Sequence, residues 1–339
     1  MRVRSGCSQQ RLLRWLVLVA AMAVVGNGSP ALASPICPVS DSFQSFMDLA
    51  ERTADLPAEQ QVRVFREDYL ARRPELYAPE VMPAPSDARA LRAMAAVRAH
   101  PEWRAFDAAL RLALDQAAKR FRRTFPDFRC DFSVYVTETF GAMDGAGRDV
   151  AGRPGLVLGV DTIVEFETAA SLPVFLSHEL FHRYNFHAAG FSDDLGERDL
   201  IWRSLWAEGL ATYVSALLNP SNPLSDALIF PKDLEARAKP FVPPMASELL
   251  AAADRVDPAT FAKFFEVESA AAKDLGWPPR SGYYVGYLVA QDLEGRRTLA
   301  KLAHMQGPAL RAEIGRSLER LARAGIITSA GCARPIPCH

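Results

Sequence analysis

Apolar residues recur along this chain with two periods, and the switch between them outlines the fold. From Asp41 the spacing is helical: Phe43, Phe46, Met47 and Ala50 share a face, with Asp41 placed to cap. Further helical patterns cover 58–72, 86–99 and 102–124, each opening near a proline, at Pro57, Pro85 and Pro101. The period then falls to two. Phe132, Val134 and Val136 alternate with Ser133, Tyr135 and Thr137, which predicts a strand. A glycine-rich loop is expected over 141–155 and a second strand over 156–160. Helical patterns return near residue 171 and run to about Ala324, broken near Pro240, Pro243 and Pro244. Helices around one small sheet make the expected class α+β, mostly helical. There is no internal repeat, and no linker is long or polar enough to force a domain boundary.

The first 33 residues read differently. Arg2, Arg4, Arg11 and Arg14 precede or enter an apolar run over 12–25, and Gly26-Asn27-Gly28-Ser29-Pro30 breaks any helix after it. Ala31-Leu32-Ala33 then offers small residues at the two positions a signal peptidase reads. This order predicts a cleaved secretory signal peptide over 1–33, with a retained membrane anchor as the alternative. The chain is 49 % hydrophobic with 39 basic and 40 acidic residues, which excludes intrinsic disorder. Losing residues 1–33 leaves 35 basic against 40 acidic side chains, net −5. No basic field remains to favour nucleic acid or an acidic membrane surface. Beyond Cys7 there are four cysteines, Cys37, Cys130, Cys332 and Cys338. In an exported chain an even number points to two disulfides in one of three pairings. Cys332 with Cys338, and Cys37 with Cys130, is the expected pairing. A secreted or periplasmic location follows, with no membrane association after cleavage.

The chemistry concentrates in 171–215. Ser171-Leu172-Pro173 opens a helix that carries Ser177-His178-Glu179-Leu180-Phe181-His182. His178 and His182 are one turn apart on one face, so two imidazoles can reach one Zn²⁺. Glu179 sits about 100° round the helix, where it can take a proton from a metal-activated water. A third protein ligand is then required. Asn185 and Ala188 stand where a metzincin-type pattern needs Gly and His, and His187 reads as a surface residue. A second helix over 199–218 carries Trp206-Ala207-Glu208-Gly209-Leu210-Ala211. Glu208 shares a largely apolar or small face with Ile201, Leu205, Ala211, Thr212 and Ser215. A carboxylate there needs a partner, and a metal would be one. Asp193, Asp194 and Glu197 are the next candidates for that ligand. Gly209 is costly inside a helix and suits a close helix contact.

With those residues in place, the chain resembles the gluzincins, zinc metallopeptidases that hold the metal with two histidines and one glutamate. Within them it is similar to a bacterial family of predicted zinc-dependent proteases. The downstream Trp-x-Glu-Gly-x-Ala stretch is similar to the second motif of the membrane-alanyl-aminopeptidase group, which has Asn where Ala207 stands. The resemblance covers about residues 130–295. It implies a zincin-like core with a small sheet packed on the active-site helix, in a catalytic region over 129–339 behind a helical region over 34–128. It also implies His178, His182 and Glu208 as zinc ligands and Glu179 as general base. Two departures stand out. Twenty-five residues separate His182 from Glu208, more than in thermolysin-like or aminopeptidase members. Thr212 stands where thermolysin-like enzymes carry an acid that orients a histidine, so that support is unassigned.

Two further expectations come from the resemblance. Gly282-Tyr283-Tyr284-Val285-Gly286-Tyr287 starts a helix, and Tyr283 stands three residues before a glycine, as the oxyanion-donating tyrosine does in aminopeptidase-like members. Tyr284 is the alternative donor, and packing is the alternative role for both. The strand over 156–160 is the candidate edge on which an extended peptide would pair, with an interior strand as the alternative. The expected function is an exported zinc metallopeptidase acting on peptides or proteins. The alternatives are a peptidase-like zinc protein that binds without cutting, and an amidohydrolase acting on another amide.

Overall fold

The computed structural model describes residues 36–190 and 198–328, with side chains as far as Ala324. The expected signal segment lies outside the described residues, as do Asp193, Asp194, Glu197, Cys332 and Cys338. No helix among the described residues is long and apolar enough to cross a membrane.

The fold is α+β and mostly helical, with one four-stranded open sheet. A short strand β1 (Val39–Asp41) leads into helix α1 (Phe43–Arg52), and the Asp41 carboxylate accepts the Phe43 amide at 3.0 Å. Helix α2 (Ala58–Val64) continues as a π-helical turn over Phe65–Leu70. Helix α3 (Asp87–Ala99) is capped by the Ser86 hydroxyl, which accepts from the Arg89 amide. Helix α4 (Trp103–Thr124) ends in a cluster of rings. Phe121 and Phe125 pack at 4.7 Å between centroids, and Phe125 meets Phe181 at 5.9 Å, joining α4 to the later site helix.

Strand β2 (Ser133–Thr137) lies where alternation placed it. The stretch expected as a loop contains a further strand, β3 (Gly145–Val150), which forms a hairpin with β4 (Arg153–Gly159). Ala151 and Gly152 between them both have positive φ, 52° and 77°, as the tight turn matching strand twist requires. Sheet order is β1-β2-β4-β3, with β1, β2 and β4 parallel and β3 antiparallel at one edge. The strand expected over 156–160 is therefore interior, and β3 forms the sheet edge next to it.

Helices α5 (Val160–Phe166), α6 (Leu172–Ala189) and α7 (Ile201–Leu218) follow. Then come α8 (Leu224–Ala227), α9 (Leu234–Ala238), α10 (Val242–Ala252), α11 (Pro258–Phe265) and α12 (Ala270–Asp274). Helices α13 (Ser281–Glu294), α14 (Leu299–Ala303) and α15 (Gly307–Thr328) complete the fold. Helices α6 and α7 are buried nearly all round, which is why their sequences are apolar on every face. One continuous apolar core runs from Cys37 to Leu318, so the helices before residue 129 and those after it bury the same interior.

Candidate metal centre

Helix α6 supplies three of the predicted residues. Leu176, Leu180 and Phe181 are fully buried and hold it in the core. Ser171 precedes it, but its hydroxyl turns back to Thr168 instead of capping the helix, and Gly190 ends it at φ 66°. Helix α7 lies against α6, and Asn219 at its end donates to the Ser177 hydroxyl at 3.1 Å. This packing brings Glu208 over the two histidines.

His178 Nε2 and His182 Nε2 are 2.9 Å apart, and Glu208 Oε2 is 3.3 Å from each. Donors arranged tetrahedrally at about 2.0–2.1 Å from a zinc ion lie about 3.3 Å from one another. The three atoms thus fit one small cation of that coordination. Among the described residues they are the only such group of His, Cys, Asp and Glu. Three electron-pair donors turned on one point do not ionise alike, and burial and mutual charge split the group. Burial drives the His178 imidazole down to about 4. Burial acts the same way on His182, but the Glu208 and Glu179 carboxylates outweigh it and raise its pKa. Burial opposes ionisation of Glu208 too, and the two imidazoles overcome it, holding the carboxyl well below its ordinary range.

Neither imidazole Nδ1 has a hydrogen-bond partner among the described residues. The Thr212 hydroxyl bonds back to the Glu208 carbonyl at 2.8 Å and orients no histidine. Ring packing positions the pair instead. His178 stacks on Tyr283 at 6.2 Å and 18°, and His182 rests against Phe186 at 5.4 Å.

Glu179 projects beside the three donors into a cleft of about 370 Å³. Burial raises its carboxyl to about 8, with Asp144 and Glu208 adding to that rise and His182 opposing it. The carboxylate lies directly under edge strand β3: a Cβ built on Gly145 would come within 2.5 Å of Glu179 Cδ. Only glycine leaves room for it there. Tyr283 also lines the cleft, and burial pushes its phenol up, so it keeps its proton as a donor. Tyr284, the alternative, faces elsewhere, stacking on Tyr287 at 6.4 Å in a separate depression. His187 is exposed and outside the cleft, as expected.

Sequence reasoning missed Asp144, Gly145, Arg183 and Arg280, all of which line the cleft. The two-residue spacing of Gly145 and Gly147 was a usable signal for a strand passing close to other groups. Nothing local marks Arg280. Comparison with known protein families, with curated proteins and with solved structures finds no match for this chain.

Proposed function

We propose that this protein is an exported zinc-dependent peptidase of the gluzincin kind. One observation carries the reading: three donors of the right chemistry meet at 2.9–3.3 Å in a cleft that also holds a buried carboxyl, Glu179, and a phenol, Tyr283. His178, His182 and Glu208 would hold the metal. A zinc ion there supplies Lewis acidity, activating a water and polarising a carbonyl. Glu179 takes the proton from the attacking water and passes it to the departing amine nitrogen. Tyr283 donates to the oxygen on which charge develops, a contact made only in the transition state. Strand β3 ends the sheet beside Glu179, and an extended peptide could align along it by displacing the side-chain bonds that Asp144 makes to the Gly145 amide and Arg148 to the Gly147 carbonyl. A protein that merely bound zinc would not need Glu179 in this position. The Cys37–Cys130 disulfide, closed as the pairing above expects, supports an oxidising compartment.

Metal analysis and cleavage profiling on a peptide library test this together. About one zinc per chain is expected, lost in His178→Ala, His182→Ala and Glu208→Ala and kept in Glu179→Gln, which should not cut. Tyr283→Phe should lower kcat by about 10²–10³ with little change in KM, and Tyr284→Phe should leave it near wild type. Full zinc occupancy in Glu208→Ala would sink the ligand set. Unimpaired hydrolysis by Glu179→Gln would sink the mechanism.

A further inference from the structure

Arg280 is 8 % exposed, and its side chain lines the same cleft. Its guanidinium carbon lies 4.0 Å from the centre of the Tyr283 ring. Its Nε is enclosed without a hydrogen-bond partner, and no carboxylate among the described residues lies within ion-pair distance of it. Burial opposes its charge, and Tyr283, followed by Asp144 and Glu208 at longer range, favours it and outweighs burial. A buried guanidinium stays charged, and here it lies against the Tyr283 ring with no carboxylate to form the paired hydrogen bonds that it can make. The backbone at Arg280 is held at φ 57°, ψ 21°, a left-handed conformation that disfavours any residue with a side chain. The residue is thus retained at an awkward turn, immediately before α13, with its charge directed into the site.

The charges around it set what it can take. Among the described residues the cleft is lined by the acids Asp144, Glu179, Glu208 and Glu266 and by the bases Arg148, Arg183 and Arg280. A bound dication would shift the balance of the site towards positive charge and favour an anion beside Arg280. A guanidinium matches a carboxylate through two parallel N–H···O bonds.

We propose that Arg280 anchors a substrate carboxylate, so that the cleft selects peptides by a carboxylate group close to the bond cut. The peptide part of this statement rests on the peptidase reading above, whereas carboxylate recognition is measurable without turnover. Two sources supply that group: the free C-terminus of a peptide, and an Asp or Glu side chain within it.

The test uses zinc-loaded full-length Glu179→Gln protein and titration calorimetry. The probes are N-acetyl-dialanyl-phenylalanine as the free acid, the same peptide as its C-terminal amide, and amide peptides with an internal glutamate or glutamine. One carboxylate peptide should bind about ten- to a hundredfold tighter than its uncharged counterpart. Preference for the free acid identifies the C-terminus, and preference for the glutamate peptide identifies the side chain. Adding Arg280→Gln should abolish the preference, and adding Arg280→Lys should keep a part of it, both with zinc content and unfolding temperature unchanged. If Arg280→Gln fails to fold, Arg280→Lys decides alone, because a fork-specific contact must weaken when the fork is lost. Equal binding of charged and uncharged probes, or a preference that survives both substitutions, overturns the proposal. A parallel assay of peptide hydrolysis by the wild type separates the two ideas: absence of cleavage with carboxylate preference intact would reject the peptidase and leave the anchor standing.

Discussion

Glu138 lies 2 % exposed at the start of the loop between β2 and β3, with one oxygen accepting the Phe140 amide at 3.1 Å and the other unpartnered. Asp161 below it accepts from the Thr139 and Gly141 amides at 2.9 and 2.6 Å, pinning the loop that ends at Asp144 in the cleft. Burial first, and the Asp161 charge second, push the Glu138 carboxyl well above its ordinary range. The folded protein therefore keeps this proton at pH values where the unfolded chain, with a carboxyl near 4.3, has lost it. The contribution of this group to stability falls as pH rises above that unfolded value, by about 1.4 kcal/mol per pH unit until the folded group itself ionises. Glu138→Gln removes this dependence. It should be more stable than wild type at pH 7.5, with the difference shrinking towards pH 4.5, and urea unfolding at the two pH values measures it. A pH-independent difference would place the ionised form in the folded protein. At this scale the helix-borne site residues were legible, because four-residue spacing fixes His178 and His182 on one face whatever surrounds them. Glu138 and Arg280 were not, because their significance lies in partners they lack, and only the fold decides who stands beside them.

The site joins three elements, and its precision depends on how closely two of them cross. A Cβ built on Gly209 of α7 would lie 2.2 Å from the Gly286 carbonyl carbon of α13, and one on Gly286 would lie 2.5 Å from the Leu205 oxygen. Both obstacles are backbone and cannot rotate away. The close approach expected of Gly209 is thus real, and it sets the distance between Glu208 and Tyr283, which flank this crossing. Gly209→Ala gains about 1 kcal/mol of helix propensity, yet it forces the helices apart, and we expect a net loss of about 1–3 kcal/mol. Zinc affinity should fall as well, although no ligand is touched. Gly295→Ala is the matched control: the nearest obstacle lies at 3.8 Å, and its φ of −54° suits any residue, so stability should stay within about 0.5 kcal/mol. Calorimetric unfolding and zinc titration of both variants decide the point, and equal behaviour would mean that the crossing has slack. The same close packing explains the strand that pattern reading lost. Gly145-Ala146-Gly147-Arg148-Asp149 shows no alternation of apolar and polar residues, because Glu179 and Arg183 pass beneath the glycines where side chains would otherwise point. The α6 and α7 patterns survived because burial on every side asks only for apolar residues, which a sequence displays openly.

Across the whole molecule, the helices before residue 129 are tied to the sheet in two ways. Strand β1 pairs in parallel with β2, and just outside that pairing Cys37 is bonded to Cys130, closing a loop that contains α1 to α4. The alternation around residue 134 was readable, but the partner strand β1 is three residues long and carries no pattern of its own, so the cysteines were the only sequence sign that the two ends meet. Their separation of 93 residues sets the expected effect. Closing a loop of that length in the unfolded chain removes entropy equivalent to about 4–5 kcal/mol at 25 °C. Replacing both cysteines by alanine should therefore lower the unfolding temperature by on the order of 10 °C. Zinc stoichiometry should stay unchanged, because α6 and α7 hold all three of the proposed ligands and neither carries a cysteine. Scanning calorimetry on the oxidised, reduced and double-alanine proteins measures this, and the reduced and double-alanine forms should agree. If reduction leaves the unfolding temperature where it was, the N-terminal helices are held by the shared apolar core alone. If it strips the zinc, the disulfide supports the site through the sheet, and the α6–α7 pair is not self-sufficient as a metal-binding frame.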